Sequence, residues 1–314
     1  HTHFNRCLIF YTLRIVKDRI PLQKSINIKQ TNMSNLNQPK KLKAQSIEER
    51  LRLMGENFDD YEPVTIKYPN TLLSKDLKKL IVLDNIKTFY DSIISRIDYS
   101  KDKLEKVIFG DSVTEIGEGA FCDCTALQEI VIPDSVTRIL PLTFSNCTSL
   151  QKIVIPNSVK NIRERAFENC TSLQKIVIPN SVKEIDEAAF GGCTSLEEIV
   201  IPDSVTEIGR DAFNGCTSLE KIVIPESVTK IGYFAFENCK NLSLITLPKV
   251  YSNIVEVLRG SSGDLVIKSV DNNYSYEDGL LIDKNNNTLI RCQSKSNKLE
   301  IPNSIKVIGD SAFA

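Results

Sequence analysis

A single 23-residue step organises the middle of this sequence. Prolines, phenylalanines, cysteines and leucines each recur at that step over six successive units. Because four independent residue ladders share one period, the chain is predicted to be a repeat protein in which each unit is one supersecondary structure. The ladders are Pro133, Pro156, Pro179, Pro202, Pro225 and Pro248; Phe121, Phe144, Phe167, Phe190, Phe213 and Phe236; Cys124, Cys147, Cys170, Cys193, Cys216 and Cys239; and Leu127, Leu150, Leu173, Leu196, Leu219 and Leu242.

Each unit combines one short strand with one compact turn. The unit from Leu173 to Ser195 alternates in its strand, so that Ile176 points to the core and Val177 to the opposite side. Pro179 has no amide hydrogen and ends the strand. Phe190 is expected to fill the core beneath a short helical or 3₁₀ turn. No unit can bury its apolar side alone, whereas stacked units form a continuous core and a parallel sheet with a spacing of about 4.8 Å.

The unit resembles that of the leucine-rich-repeat superfamily, specifically the BspA-like (Treponema pallidum type) class. The resemblance runs without a break from Leu104 to Pro248 and returns in phase at Leu299 to Phe313. It implies an α/β fold, a right-handed solenoid of 23-residue repeats with short parallel strands and an inserted β-hairpin. In function it implies a binding protein of the kind found among cell-surface adhesins and antigens.

The flanking sequence predicts five segments. The hairpin is also indicated without the family, because Leu280 to Ile282 and Thr288 to Ile290 are short apolar runs separated by an Asn-rich turn. The segments are 1–45, an Asn-, Gln- and Lys-rich extension that lacks periodicity; 46–103, a helical N-terminal cap; 104–250, the solenoid; 251–298, the inserted hairpin segment; and 299–314, a resumed and truncated repeat.

Helical spacing predicts the cap. A capping box at Ser46 to Glu49 precedes one short amphipathic helix, and a second helix is expected just before the first unit, where it would shield the open end of the solenoid. The apolar positions are Ile47, Leu51 and Met54 in the first helix and Ile86, Phe89, Ile93 and Ile97 in the second.

Composition argues against several classes of function. A formal net charge of -1 gives no field to attract nucleic acid. The histidines, His1 and His3, both lie at the extreme N-terminus, no phosphate-binding glycine loop is visible, and the carboxylates are scattered. We therefore expect no enzymatic activity, no cofactor and no metal. The phased cysteines lack zinc spacing and are expected to be inert, buried thiols.

The ends of the sequence suggest a fragment, since the chain starts at His1, carries its first methionine at Met33 and stops within a repeat unit. The apolar run from Cys7 to Val16 includes Arg14 and is shorter than the ~20 residues of a spanning helix, so no transmembrane segment is expected. The compartment stays open: the resemblance favours the cell surface or secretion, whereas free thiols favour the cytoplasm.

The outward-facing strand positions form the candidate binding surface. They give a column of β-branched side chains beside a column of mixed charge, and extended solenoid sheets are common binding surfaces. We expect a monomeric module that presents this surface to a protein or glycan. The alternative is a passive spacer or intracellular scaffold, with function in the hairpin or in a missing C-terminal module. The predicted residues are Glu129, Val131, Lys152, Val154, Lys175, Val177, Glu198, Val200, Lys221, Val223 and Thr246.

N-glycosylation sequons occur in two settings. Those at Asn146 and Asn169 fall within the repeat, where the side chains are expected to satisfy backbone groups in a turn. Those at Asn273 and Asn286 fall in the hairpin and are the better candidates for modification.

Overall fold

A computed structural model describes residues 58–63, 71–82, 86–89, 101–261, 265–269, 273–292, 300–310 and 312–313. This part of the chain is built of short strands with one four-residue helix, α1 (Ile254–Val257), and one 3₁₀ turn (Phe58–Asp60). The strands are β1 (Tyr61–Pro63), β2 (Thr71–Ser74), β3 (Lys79–Val82), β4 (Thr88–Phe89), β5 (Lys106–Phe109), β6 (Glu115–Ile116), β7 (Glu129–Val131), β8 (Arg138–Ile139), β9 (Lys152–Val154), β10 (Asn161–Ile162), β11 (Lys175–Val177), β12 (Glu184–Ile185), β13 (Glu198–Val200), β14 (Glu207–Ile208), β15 (Lys221–Val223), β16 (Lys230–Ile231), β17 (Leu244–Leu247), β18 (Val266–Ser269), β19 (Tyr274–Glu277), β20 (Leu280–Asp283), β21 (Thr288–Cys292) and β22 (Val307–Ile308).

The first side of each coil is the predicted parallel sheet. Strands β5, β7, β9, β11 and β13 pair in parallel and in register, so that Lys175 lies beside Lys152 and Glu198. The central isoleucine of each repeat strand, such as Ile176, is buried while its two neighbours face outward. Strands β15, β17 and β18 form a second parallel group of the same kind.

The second side of each coil carries strands of only two residues. Strands β8, β10, β12, β14 and β16 pair in parallel and bury one isoleucine each, for example Ile185. The serine after the proline ties four successive coils to the coil before, because the hydroxyls of Ser135, Ser158, Ser181 and Ser204 each donate to a carbonyl of the preceding coil, whereas the buried Ser227 hydroxyl has no such partner. Ser158 Oγ lies 2.6 Å from the Val136 carbonyl oxygen, and Ser204 Oγ lies 2.7 Å from that of Val182.

The third side was predicted to be a short helical or 3₁₀ turn, and it consists of tight turns without an α-helix. Alternate amides here donate to the next coil: Ala188 N bonds Arg210 O, and Phe190 N bonds Ala212 O, both at 2.8 Å. The amides between them bond the carbonyl three residues back, as Ala189 N does to Asp186 O at 3.3 Å. An α-helix needs every amide for its own i−4 carbonyl, so this pattern excludes an α-helix. The α/β assignment therefore becomes a β-solenoid with little helix.

The core of the solenoid is a stack of identical side chains. The rings from Phe89 through Phe236 follow one another with centroid separations of 5.2 to 5.6 Å and interplanar angles of 12° or less. Every ring in the stack is fully buried, as are the leucine and cysteine ladders beside it. Each coil therefore buries its apolar side against two like neighbours, as the 23-residue step predicts.

The predicted second cap helix is wrong where the structure describes it. Phe89 lies in β4, which pairs in parallel with β6, and β3 pairs in parallel with β5. Leu80 lies beside Val107 and Phe89 beside Ile116, each 27 positions apart. This segment is thus an irregular coil of the solenoid. Ile86 and Phe89, three positions apart, take the places that a valine and an isoleucine, also three positions apart, have on the second side of a repeat. The predicted positions at 93 and 97 and the helix at 46–54 lie outside the described residues.

The interruption after the repeats begins later than predicted. Strand β18 still pairs in parallel with β17, which places Val266 beside Leu244 at a step of 22 residues. The predicted hairpin is confirmed, since β20 and β21 are antiparallel, and β19 adds a third antiparallel strand. The resumed repeat pairs its strand β22 in parallel with β21. We refer to residues 104–248 as the repeat block and to residues 250–313 as the C-terminal segment.

Candidate binding surface

The predicted surface residues lie on the outer side of the first sheet. Within the sheet that ends at β13, the register aligns the charged column and the valine column across successive coils about 4.8 Å apart. Val131 and Val154 are 41% and 39% exposed, which is high for valine. Exposed with them are Glu129, Lys152, Lys175, Glu198 and Lys221, whereas Val177, Val200, Val223 and Thr246 are half-buried.

The strand ladder along this surface is interrupted once. The positions on β7, β9, β11 and β13 belong to one ladder, whereas those on β15 and β17 belong to another. Strands β13 and β15 still lie next to each other, and β14 pairs with β16 on the same two coils. The residues from Lys221 to Thr246 therefore continue the columns that run from Glu129 to Val200.

Two further sets of residues enlarge the surface. Val266 is 41% exposed and Lys268 is exposed, so β18 extends both columns by one coil. The 23-residue step missed them because the step changes to 22 residues there. An outer column of polar residues also precedes the strands and is exposed: Gln128, Gln151, Gln174, Glu197 and Glu220. Their signal was the same 23-residue step.

Opposite charges face one another across coils on this surface. Lys106 Nζ lies 3.2 Å from a carboxylate oxygen of Glu129, and Lys175 Nζ lies 3.7 Å from one of Glu198. Exposed pairs of this kind contribute little to stability, typically ~0–1 kcal/mol. Their effect is to leave the surface nearly balanced in charge around the valine column, without a strong field of either sign.

The phased cysteines do not form a chemical site. They are free and buried, and each thiol from Cys147 onward donates to a phenylalanine carbonyl of a preceding coil; Cys193 Sγ lies 3.2 Å from Phe167 O. Burial raises the pKa of the Cys193 thiol to about 12, so it stays protonated and unreactive at neutral pH. Within the described ranges, no cluster of three potential metal ligands occurs.

The asparagines of the two sequons within the repeat form hydrogen bonds between successive coils. Asn146 Nδ2 donates to Asp123 Oδ1 at 2.8 Å, and Asn169 Nδ2 donates to Asn146 Oδ1 at 3.0 Å. Both asparagines have positive φ, a conformation that asparagine tolerates better than most residues. Attaching a glycan to either Nδ2 would break this ladder. Asn286, by contrast, is exposed in the turn between β20 and β21.

Among the described residues, no helix is both long and apolar enough to cross a bilayer.

Comparison with known proteins identifies the repeat. Six copies of the BspA type leucine-rich repeat region match residues 91–219 and 184–258. No curated protein sequence matches the chain.

Several solved structures of bacterial proteins are similar to this chain to different degrees. A leucine-rich cell surface protein of Faecalibacterium prausnitzii is 29% identical, with a TM-score of 0.50; the match covers 75% of this chain and 64% of that one. A Treponema pallidum leucine-rich repeat protein is 26% identical over 66% of this chain and 86% of its own, with a TM-score of 0.39. The pneumococcal vaccine antigen PcpA is 18% identical over 76% and 64%, with a TM-score of 0.38. The chain thus spans less than two thirds of the Faecalibacterium chain.

Proposed function

The chain belongs to the BspA type leucine-rich repeat family, and from that premise we propose that the outer side of its first sheet is a non-enzymatic binding surface for a protein ligand. One observation carries the proposal: successive coils present the same valine, charged and polar columns in register. Nothing in the solenoid core requires the valines, since their side chains face away from it.

The chemistry of the surface favours a protein over a glycan. A flat strip of branched apolar side chains, edged by balanced charge, matches the apolar centre and polar rim of protein interfaces. Glycan sites usually add a flat aromatic ring, and none of the described residues in these three columns is aromatic. We propose that the protein acts at a cell surface, supported by the relative from Faecalibacterium prausnitzii, whose name describes it as a cell surface protein.

Paired substitutions test this function. Val154→Lys and Val177→Lys place ammonium groups in the middle of the valine column, where they would be desolvated by a bound protein. We expect the double variant to lose at least about tenfold in affinity for a protein ligand selected with the wild type from an array of purified proteins, since unpaired interfacial charges cost more than 1.4 kcal/mol.

The matched control is Thr206→Lys, which adds a charge to an exposed position on the second side of the solenoid. Control and wild type should bind alike and melt alike. If the double variant stays folded and binds as tightly as the wild type, the surface is not the binding site, and a passive spacer becomes the better account.

A further inference from the structure

An open groove lies where the repeat block meets the C-terminal segment. It has a volume of about 440 Å³ and runs between two stretches of chain, one including β16 and the other immediately preceding α1. The groove is lined by Thr229, Lys230, Ile231, Gly232, Tyr233, Lys249, Val250, Tyr251, Ser252 and Asn253.

Three residues in this groove depart from the repeat pattern. Tyr233 takes a position held by Glu187 and Arg210 in the two preceding coils. Lys249 takes the position after the proline, where the earlier coils carry only acidic or amide side chains: Asp134, Asn157, Asn180, Asp203 and Glu226. Tyr251 replaces the buried valine represented by Val228. The earlier coils complete their structure without these side chains, yet all three line one groove.

One of the two tyrosine rings is buried and held by a hydrogen bond, and the other is open to solvent. Tyr251 is buried, and its hydroxyl donates to the Val228 carbonyl oxygen at 2.7 Å. Tyr233 is 56% exposed, and its ring centroid lies 6.2 Å from that of Phe234. Phe234 in turn contacts Arg210, whose guanidinium carbon lies 5.4 Å from the ring centroid. Tyr233 therefore presents a large aromatic surface beside a supported neighbour.

The groove is positively charged, in contrast to the balanced strand surface. Its lining includes two lysines and no carboxylate. Lys230 pairs with Glu207, which lies outside the lining, whereas Lys249 Nζ lies 5.4 Å from the Tyr251 ring centroid and forms no ion pair with a described residue. An ammonium group held over a ring and left without a counter-charge is available to an anionic ligand.

We propose that this groove binds an acidic saccharide, with a pyranose ring on Tyr233 and a carboxylate near Lys249. The C–H face of a pyranose is apolar and flat, so it packs on an aromatic ring through dispersion and burial of apolar surface. Ser252, Asn253 and Thr229 supply hydroxyl and amide groups of the kind that hydrogen-bond sugar hydroxyls. The groove lies beside β16, on the second side of the solenoid, so this site is separate from the proposed protein-binding surface.

Titration calorimetry with tetragalacturonate tests the site, with neutral cellotetraose and octaglutamate as the two comparison probes. Tetragalacturonate should bind, while cellotetraose should bind at least about tenfold more weakly because it lacks the charge. Octaglutamate should also bind at least about tenfold more weakly because it lacks the stacking ring. Tyr233→Ala should weaken tetragalacturonate binding about tenfold, and Tyr233→Phe should restore it, since the flat ring is kept.

Three further variants separate the effect of charge from that of folding, and the groove from the strand surface. Lys249→Gln should weaken the binding of tetragalacturonate and remove most of its salt dependence, whereas Lys160→Gln, which removes the same charge from an exposed position several coils earlier, should leave binding unchanged. The Val154→Lys and Val177→Lys double variant should also bind tetragalacturonate normally. Absence of tetragalacturonate binding by the folded wild type would overturn the proposal, as would equal binding of octaglutamate or an unaffected Tyr233→Ala variant.

Discussion

The repeat block and the C-terminal segment differ in the contacts that join one coil to the next. In the block, coils are joined by backbone ladders and by identical side chains in identical places. In the segment, the backbone ladder continues only as far as β18, and individual side chains add further links to the block. Asn253 Nδ2 donates to Ile231 O at 2.8 Å, and Ser261 Oγ donates to Phe236 O at 2.7 Å, the role that a cysteine thiol has in the preceding coils. In the block, many similar contacts share the stabilisation of the fold. In the segment, a few individual hydrogen bonds provide a larger part of it.

Arg291 is the clearest example of a single side chain that joins the segment to the rest of the fold. It extends from β21 and is buried, and its Nη2 donates to Leu258 O at 2.8 Å, just beyond the end of α1. Its partners are backbone carbonyls rather than a carboxylate, and burial lowers the pKa of its guanidinium to about 10, so it stays charged at neutral pH. Arg291 thereby helps to fasten the antiparallel strands to the solenoid, together with the Tyr276 hydroxyl, which donates to the Leu265 carbonyl oxygen, and with Leu281, which packs in the main core.

The largest expected effect is in the block. Phe190→Ala removes one ring from the middle of the stack and leaves a cavity between two coils that cannot close without losing register. The free energy of unfolding should fall by about 3–5 kcal/mol. Urea denaturation measures this loss, with Phe190→Leu as the control that retains most of the volume. A loss for Phe190→Ala below that for Phe190→Leu would show that the stack does not hold the coils together.

A smaller and more local effect is expected in the segment. Arg291→Ala removes a charged donor from a buried carbonyl, which should cost about 1.5–3 kcal/mol. Hydrogen exchange should then accelerate in β19 to β21 and remain unchanged in β9 to β13. The control Arg138→Ala removes an exposed guanidinium and should change stability by no more than about 0.5 kcal/mol. Faster exchange throughout the block would contradict a local role for Arg291.

The smallest effect per residue is expected at alkaline pH, at the buried thiols of the repeat block. The pKa of the Cys193 thiol rises from 9.0 to about 12 on burial, so the unfolded chain ionises first and stability falls as the pH rises from 9 towards 12. Between pH 7.5 and pH 10 this thiol should cost about 1.4 kcal/mol. In urea denaturation under reducing conditions, Cys193→Ala should lose that much less over the same interval. Identical pH dependence would mean that the thiol is accessible in the folded state.

The sequence predicts the block well because every coil repeats the same arrangement of strand, turn and core residues. The register of Ile176 with its neighbours, the buried thiols and the outward valines all follow from one 23-residue step. The turn at Arg165 and Ala188 was not predictable locally, since both residues adopt positive φ although neither residue type favours it. Hydrogen bonds to the next coil impose that conformation, and a single unit does not contain them.

The sequence did not predict the coil before the repeat block or the strand β18 after it, and both were missed for the same reason. The coil that includes Leu80 and Phe89 is offset from the next coil by 27 residues, and β18 is offset from β17 by 22 residues. A repeat defined by a 23-residue step therefore includes neither of them. For the candidate surface, the columns on β7 to β13 were predictable from alternation alone. The groove at Tyr233 was not, because it depends on residues from two stretches of chain.

Deleting one coil tests the contrast between the two regions most directly. Removal of residues 174–196 joins Leu173 to Glu197 in the phase that Gln174 had, so neighbouring coils meet with matching ladders. We predict a folded protein that unfolds in one cooperative transition with reduced free energy, measured by circular dichroism in urea. Removal of residues 250–271 should instead abolish folding, because it takes away α1, β18 and the carbonyls that bind Arg291. A coil deletion that fails to fold, or two deletions that behave alike, would contradict the interchangeability of the coils.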